Sequence, residues 1–280
     1  MTNSIIKKDN SFERSYTDLA TRILVPESKI GPRAPFIQRS KSRSTIRAPR
    51  GAALLQATDY QGFSEQGGAC IVHPNWAISV AHCGATLNER GIPEATWVDM
   101  TLSLGCEDRD IQKVVYGINE IFIHKYYTAY RGGFAFDIMA MYSKAPFPDE
   151  HILTPRRRSM FNTAVGEQVS IPNLGSQGEA GNPNDGDLNQ FIENDIMKVS
   201  NVTNLYTDLE TVDGDVARPG ASGWPAWDND GDDLATFMGL TSHVDTNRTQ
   251  TTLTPALMIS DWFNELRPRV EVARQMGLFR

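Results

Sequence analysis

Gly68-Ala69-Cys70-Ile71-Val72-His73-Pro74-Asn75-Trp76-Ala77-Ile78-Ser79-Val80-Ala81-His82-Cys83 reads as two apolar runs broken at a His-Pro-Asn turn. Short runs of this kind, bounded by turn residues, predict a β-hairpin that delivers His82 at its far end. The same pattern extends outward from the hairpin. Ala53-Leu54-Leu55 precedes it, and Trp97 to Leu104, Val114 to Tyr116 and Ile118 to His124 follow it. Val165 to Gly175 alternates and predicts the opening of a second set of strands, before a long loop rich in Gly, Asn, Asp and Pro over Ser176 to Asn189. Short strands separated by turns from Gly51 onward predict an all-β fold. A helix is predicted near the C-terminus, where Thr254-Pro255 supplies a cap and a first turn and Ile259, Trp262, Phe263 and Leu266 recur at i, i+3, i+4 and i+7. Pro268 is expected to stop it and leave 269–280 as a tail.

At 280 residues and 40% hydrophobic content the chain can bury a large core. A formal net charge of -7 argues against nucleic acid as the general partner. No apolar run approaches the roughly 18 residues of a membrane span, so no membrane partner is expected. Met1 to Asn10 are polar apart from one Ile-Ile pair, so no secretory signal is visible there. Gly31 to Arg50 holds Arg33, Arg39, Lys41, Arg43, Arg47 and Arg50 without an acidic residue, and is interrupted by prolines. Residues 1–50 are therefore expected to be a basic, disordered leader or a pro-segment.

Three stretches carry chemistry. In Arg218-Pro219-Gly220-Ala221-Ser222-Gly223-Trp224-Pro225, a serine lies between two glycines inside a proline-flanked turn. Glycine before a nucleophilic serine turns bare N–H groups toward a developing oxyanion, and glycine after it is expected to leave room for substrate. His82 closes the hairpin, and Phe136-Asp137-Ile138-Met139-Ala140-Met141 places an aspartate at the head of an apolar strand. His73, His124 and His151 have ordinary turn or strand-end settings. Asp228 to Asp233 fails as an EF-hand loop because its sixth position is aspartate, and no metal or other cofactor is expected. Each stretch alone also has a bland reading: His82 as a strand end, Asp137 as a turn acid, Ser222 as a loop hydroxyl.

Together the Ala-His-Cys, Asp-Ile-Met-Ala and Ser-Gly blocks, in the order His, Asp, Ser, resemble the trypsin/chymotrypsin-like serine peptidases. The resemblance runs over residues 51–267 and implies two packed six-stranded antiparallel barrels with a C-terminal α-helix. It implies a serine endopeptidase acting on protein or peptide substrate as a monomer, with His82, Asp137 and Ser222 catalytic and the N–H groups of Gly220 and Ser222 forming the oxyanion hole. It also implies a disulfide between Cys70 and Cys83, with Cys106 left unpaired; in a reducing compartment all three would be thiols. Secretion is suggested by the family and by that disulfide. The cleft strand implies Ser242 and His243 as substrate-binding residues, and counting back six from the nucleophile puts Val216, beside Ala217, at the pocket floor; one residue of slippage puts Asp215 there. Apolar or small side chains are expected first, acidic second, basic third.

Two positions depart from the family. Ala221 stands where an aspartate usually receives the new N-terminal amine, which resembles the glutamyl-endopeptidase-like branch, and Trp224 stands where glycine is usual and is expected to narrow the space beside the nucleophile. The competing reading is an inactive peptidase homologue that binds protein without cutting it.

Overall fold

A computed structural model describes residues 16–26, 35–39, 51–59, 61–62, 64–95, 97–104, 112–130, 133–153, 164–174, 191–212, 220–228, 237–244 and 250–279. Its strands are β1 (Ala20–Leu24), β2 (Phe36–Arg39), β3 (Ala52–Asp59), β4 (Ser64–His73), β5 (Trp76–Ser79), β6 (Thr86–Leu87), β7 (Pro93–Glu94), β8 (Trp97–Leu104), β9 (Gln112–Gly117), β10 (Glu120–His124), β11 (Thr128–Tyr130), β12 (Gly133–Ala135) and β13 (Met139–Tyr142). The second half adds β14 (Gln168–Leu174), β15 (Phe191–Val202), β16 (Thr207–Thr211), β17 (Pro225–Asp228), β18 (Phe237–Val244), β19 (Gln250–Pro255) and the helix α1 (Ala256–Gln275).

The first sheet has the order β1-β10-β13-β5-β4-β3-β8-β9-β2, and every pairing in it is antiparallel. Only Ile118 and Asn119 separate β9 from β10, so the run from β10 round to β9 begins and ends on two halves of one bent strand. A sheet wired this way must curl round on itself. Alternation along the strands then sorts the side chains: Leu55, Ile71, Ile121 and Met139 point into the curl, while Cys70, Phe122 and Ala140 point out against α1. The second half is a closed barrel, β14-β15-β16-β19-β18-β17, with Val169, Val199, Leu209 and Leu253 inside it. Leu54 of β3 faces that second core and joins the two halves. The all-β fold with a C-terminal helix is observed and is consistent with the expected two barrels, but only the second half is a closed six-stranded barrel; the first is a curled sheet of nine strands, because β1 and β2 add to it.

Helix α1 buries the predicted stripe Ile259, Trp262, Phe263 and Leu266, but it does not stop at Pro268. The proline removes one backbone donor, and the helix runs on because Val270 and Ala273 continue the buried face and ion pairs Arg267–Glu271 and Arg269–Glu265 bracket the break. Nor does Thr254 cap it. Pro255 occupies the N-cap without a side-chain bond, and the Thr254 hydroxyl is used elsewhere.

Within residues 1–50, expected to be disordered, the described segments 16–26 and 35–39 carry two strands. β1 pairs with β10 and β2 with β9, so residues 20–24 and 36–39 run antiparallel along both halves of the bent strand. Tyr16 and Ala20 are buried, and the Trp262 Nε1–H donates to the Leu19 carbonyl at 3.0 Å. Glu120, 5% exposed, pairs with Arg22 of β1 at 2.8 Å and with Arg274 of α1 at 2.7 Å. The Arg274 guanidinium lies 3.6 Å over the Tyr142 ring and Arg22 lies 4.1 Å over Phe279. One buried carboxylate therefore ties both ends of the chain to the first sheet.

The disulfide between Cys70 and Cys83 is not formed; both are free thiols. A Cβ built on Gly67 would lie 3.2 Å from the Cys83 sulfur. Cys70 is three residues further along the same strand, so its side chain leaves the opposite face about 10 Å away. Burial raises the Cys70 thiol pKa strongly and leaves it inert. Cys106 lies outside the described residues.

Candidate active site

Three elements from the two halves of the molecule meet at their junction. His82 sits in a one-turn 3-10 helix, Ala81–Cys83, that directly follows β5. Asp137 lies between β12 and β13, and Ser222 lies in the turn before β17 of the closed barrel. The Ser222 Oγ and His82 Nε2 are 2.8 Å apart, and His82 Nδ1 lies 2.7 Å from Asp137 Oδ2.

Asp137 is 1% exposed and is held from several directions. Its Oδ1 accepts the His82 backbone N–H at 3.0 Å, and its Oδ2 also accepts the Ser242 hydroxyl at 2.5 Å. The Thr254 hydroxyl donates to its backbone carbonyl at 3.1 Å. A carboxylate so bonded orients the imidazole with its proton on Nδ1, leaving Nε2 to accept. Burial alone would lower the His82 pKa. The Asp137 charge, the bond to it and the neighbouring Cys83 thiol outweigh burial and raise it.

The nucleophile turn is pressed against β4. The Gly68 N–H donates to the Ser222 carbonyl at 2.7 Å, and the Ser79 hydroxyl donates to the Gly68 carbonyl at 2.7 Å. A Cβ on Gly223, whose φ is 81°, would run into the Gly68 carbonyl and Ser79 Oγ; one on Gly68 would run into the Trp224 Cα. The glycine after Ser222 thus serves this close approach rather than room for substrate. Trp224 is 1% exposed and packs in the second core, so it does not narrow the space beside Ser222. Gly220 has φ 90°, and among the described residues neither its N–H nor that of Ser222 donates to another group.

Other residues near the site were not legible as such. The Phe134 ring stacks on His82 with centroids 4.7 Å apart and planes 9° apart. Phe136, with φ 51°, stacks in the same way on His124, and this left-handed residue re-aims the chain into Asp137. His124 is pushed down to about 4 by burial, and its Nδ1 accepts the Tyr126 N–H at 3.1 Å, so it is a neutral structural ring. The hydroxyl of Ser242, a residue expected against substrate, donates to Asp137, and that of Thr254, expected as a helix cap, joins it. His243 meets the edge of Phe134 at 6.3 Å. Val216, Ala217 and Asp215 lie outside the described residues, as does the acidic turn beyond Asp228.

A protein-family model described as Trypsin matches residues 44–263. The chain belongs to the trypsin family. Trypsin-family membership carries a serine-peptidase-like function directed at protein substrates. No curated protein matches the chain.

Proposed function

We propose that this chain is a serine endopeptidase in which Ser222 is the nucleophile, His82 the general base and Asp137 its orienting partner. The reading rests on the unbroken line Ser222 Oγ, His82 Nε2, His82 Nδ1, Asp137 Oδ2, with links of 2.8 and 2.7 Å. Ser222 Oγ attacks the peptide carbonyl carbon while its proton passes to His82 Nε2. The carbonyl oxygen becomes an oxyanion facing the Gly220 and Ser222 N–H groups, each such donor being worth about 3 to 4 kcal/mol of barrier. Collapse expels the amine, which takes the proton from His82, and leaves an acyl-enzyme on Ser222. Water then repeats the sequence and frees the acid. Asp137 stays ionised throughout and stabilises the imidazolium formed in each half.

A fluorophosphonate probe, which phosphonylates a serine activated in this way, tests the reading directly. Labelling of the wild type that disappears in Ser222→Ala and in His82→Ala is expected. A folded wild type that takes up no label, or a label that survives Ser222→Ala, refutes the assignment and leaves a protein-binding homologue.

A further inference from the structure

We propose that Phe134 is a positioning residue for His82, its ring holding the imidazole in plane between Ser222 and Asp137 and favouring the imidazolium formed during reaction. The proposal rests on the reading of His82 as general base. With Ser222 free, the hydrogen bonds at Nε2 and Nδ1 and the Cβ–Cγ bond together fix the imidazole. The Phe134 stack, 4.7 Å and 9° from parallel, adds a contact on the ring face that does not depend on the Ser222 hydroxyl. The contact matters most once Ser222 is acylated, because its Oγ–H no longer bonds Nε2 and only Asp137 anchors the ring.

The stack is built by the same short run that carries the aspartate. Residues 133–135 form β12, paired to β11, and the left-handed Phe136 then turns the chain so that Asp137 reaches Nδ1 while Phe134 reaches the ring face. Tyr127 braces Phe134 from behind, with centroids 6.0 Å apart and planes 30° apart, and His243 of β18 meets its edge. Phe134 is half-buried and packs on the edge of the first core. The negative π face of a phenyl ring attracts a cation lying over it, which favours charged over neutral His82. Among the described residues, the ionisable groups around His82 are the Asp137 carboxylate, the Cys83 thiol on its own turn, and Tyr127 and His243 on the elements flanking Phe134. The Asp137 charge exceeds the Phe134 contribution, so the effect of Phe134 is a correction on that pair.

The test compares Phe134→Leu, which keeps apolar bulk without a π face, with Phe134→Tyr, which keeps both. Full-length protein is used for two readouts: the imidazole titration of His82 by NMR, and the pH profile of kcat and KM on a small chromogenic ester. Phe134→Leu should lower the His82 midpoint by about half a pH unit or more and kcat by about tenfold, with KM within about twofold. Phe134→Tyr should restore both. A leucine variant that titrates and turns over like wild type overturns the proposal, as does a folded tyrosine variant that behaves like leucine. If the leucine variant does not fold, Phe134→Met makes the same comparison. If no form hydrolyses the ester, the general-base reading fails, and the NMR midpoint alone still decides whether the stack biases the charge of His82.

Discussion

Replacing Ser242 by alanine removes the one side-chain hydroxyl among the described residues that donates to the Asp137 carboxylate, at 2.5 Å and in a site 1% exposed. Asp137 keeps its bonds from the His82 backbone and ring, so the site is not dismantled. A hydrogen bond to a charged group contributes about 1.5–3 kcal/mol net, and the lost donor leaves the buried Oδ2 with the His82 ring as its remaining partner. For a chain of this size each kcal/mol moves Tm by roughly 2–4 °C, so a loss of about 2 kcal/mol lowers Tm by about 4–8 °C. Thermal unfolding followed by circular dichroism measures it. The decisive form is a double-mutant cycle, because Ser242→Ala in an Asp137→Ala background has no carboxylate left to abandon and should cost close to nothing. Equal costs in the two backgrounds would refute the reasoning and reassign Ser242 to packing alone.

The raised His82 pKa fixes a pH signature: kcat/KM should fall as pH drops through a midpoint above the ordinary value of about 6.5, because protonated His82 cannot accept the Ser222 proton. Stability has the opposite slope, since the contribution of charged His82 is complete below about pH 6.5 and is lost as pH rises through the folded pKa; Tm measured across that range should lose this slope in His82→Ala. Cys83, half-buried, should react with iodoacetamide before buried Cys70, and reductant should leave mass and Tm unchanged; an intact Cys70–Cys83 peptide in a non-reducing digest would count against the open thiols. Arg22→Ala leaves Glu120 with Arg274 alone and should cost about 1–2 kcal/mol, measured by urea unfolding. A protease site placed between residues 40 and 50 should yield, once cut, an N-terminal piece that co-elutes with the body on native gel filtration; a piece that separates shows that β1 and β2 do not hold it.

The fold was legible where the code is local. Alternation and turn residues mark the hairpin of β4 and β5, and the 3.6-residue period marks α1. The three blocks around His82, Asp137 and Ser222 were legible because each has a local residue pattern, and in the structure they meet within hydrogen-bonding distance. What was not legible depends on partners far along the chain. Nothing near Thr254 says that its hydroxyl will reach Asp137, 117 positions away, in place of a helix end. Pro268 reads as a stop until Val270 and Ala273 are known to be buried. Cys70 and Cys83 resemble a bridged pair in the linear sequence, and only the facing of β4 separates them. β1 and β2 were missed because runs of five and four residues are too short to show a clear alternation.

That leader also sets an order of events. Arg22 and Glu120 stand 98 positions apart, and Leu19 and Trp262 stand 243 apart. Residues 19–24 are therefore among the last to find their place: β1 has no strand to lie on until residues 120–124 exist, and the Leu19 carbonyl has no donor until α1 has been made. Contacts of such long sequence separation slow folding by the entropy of the loops they close.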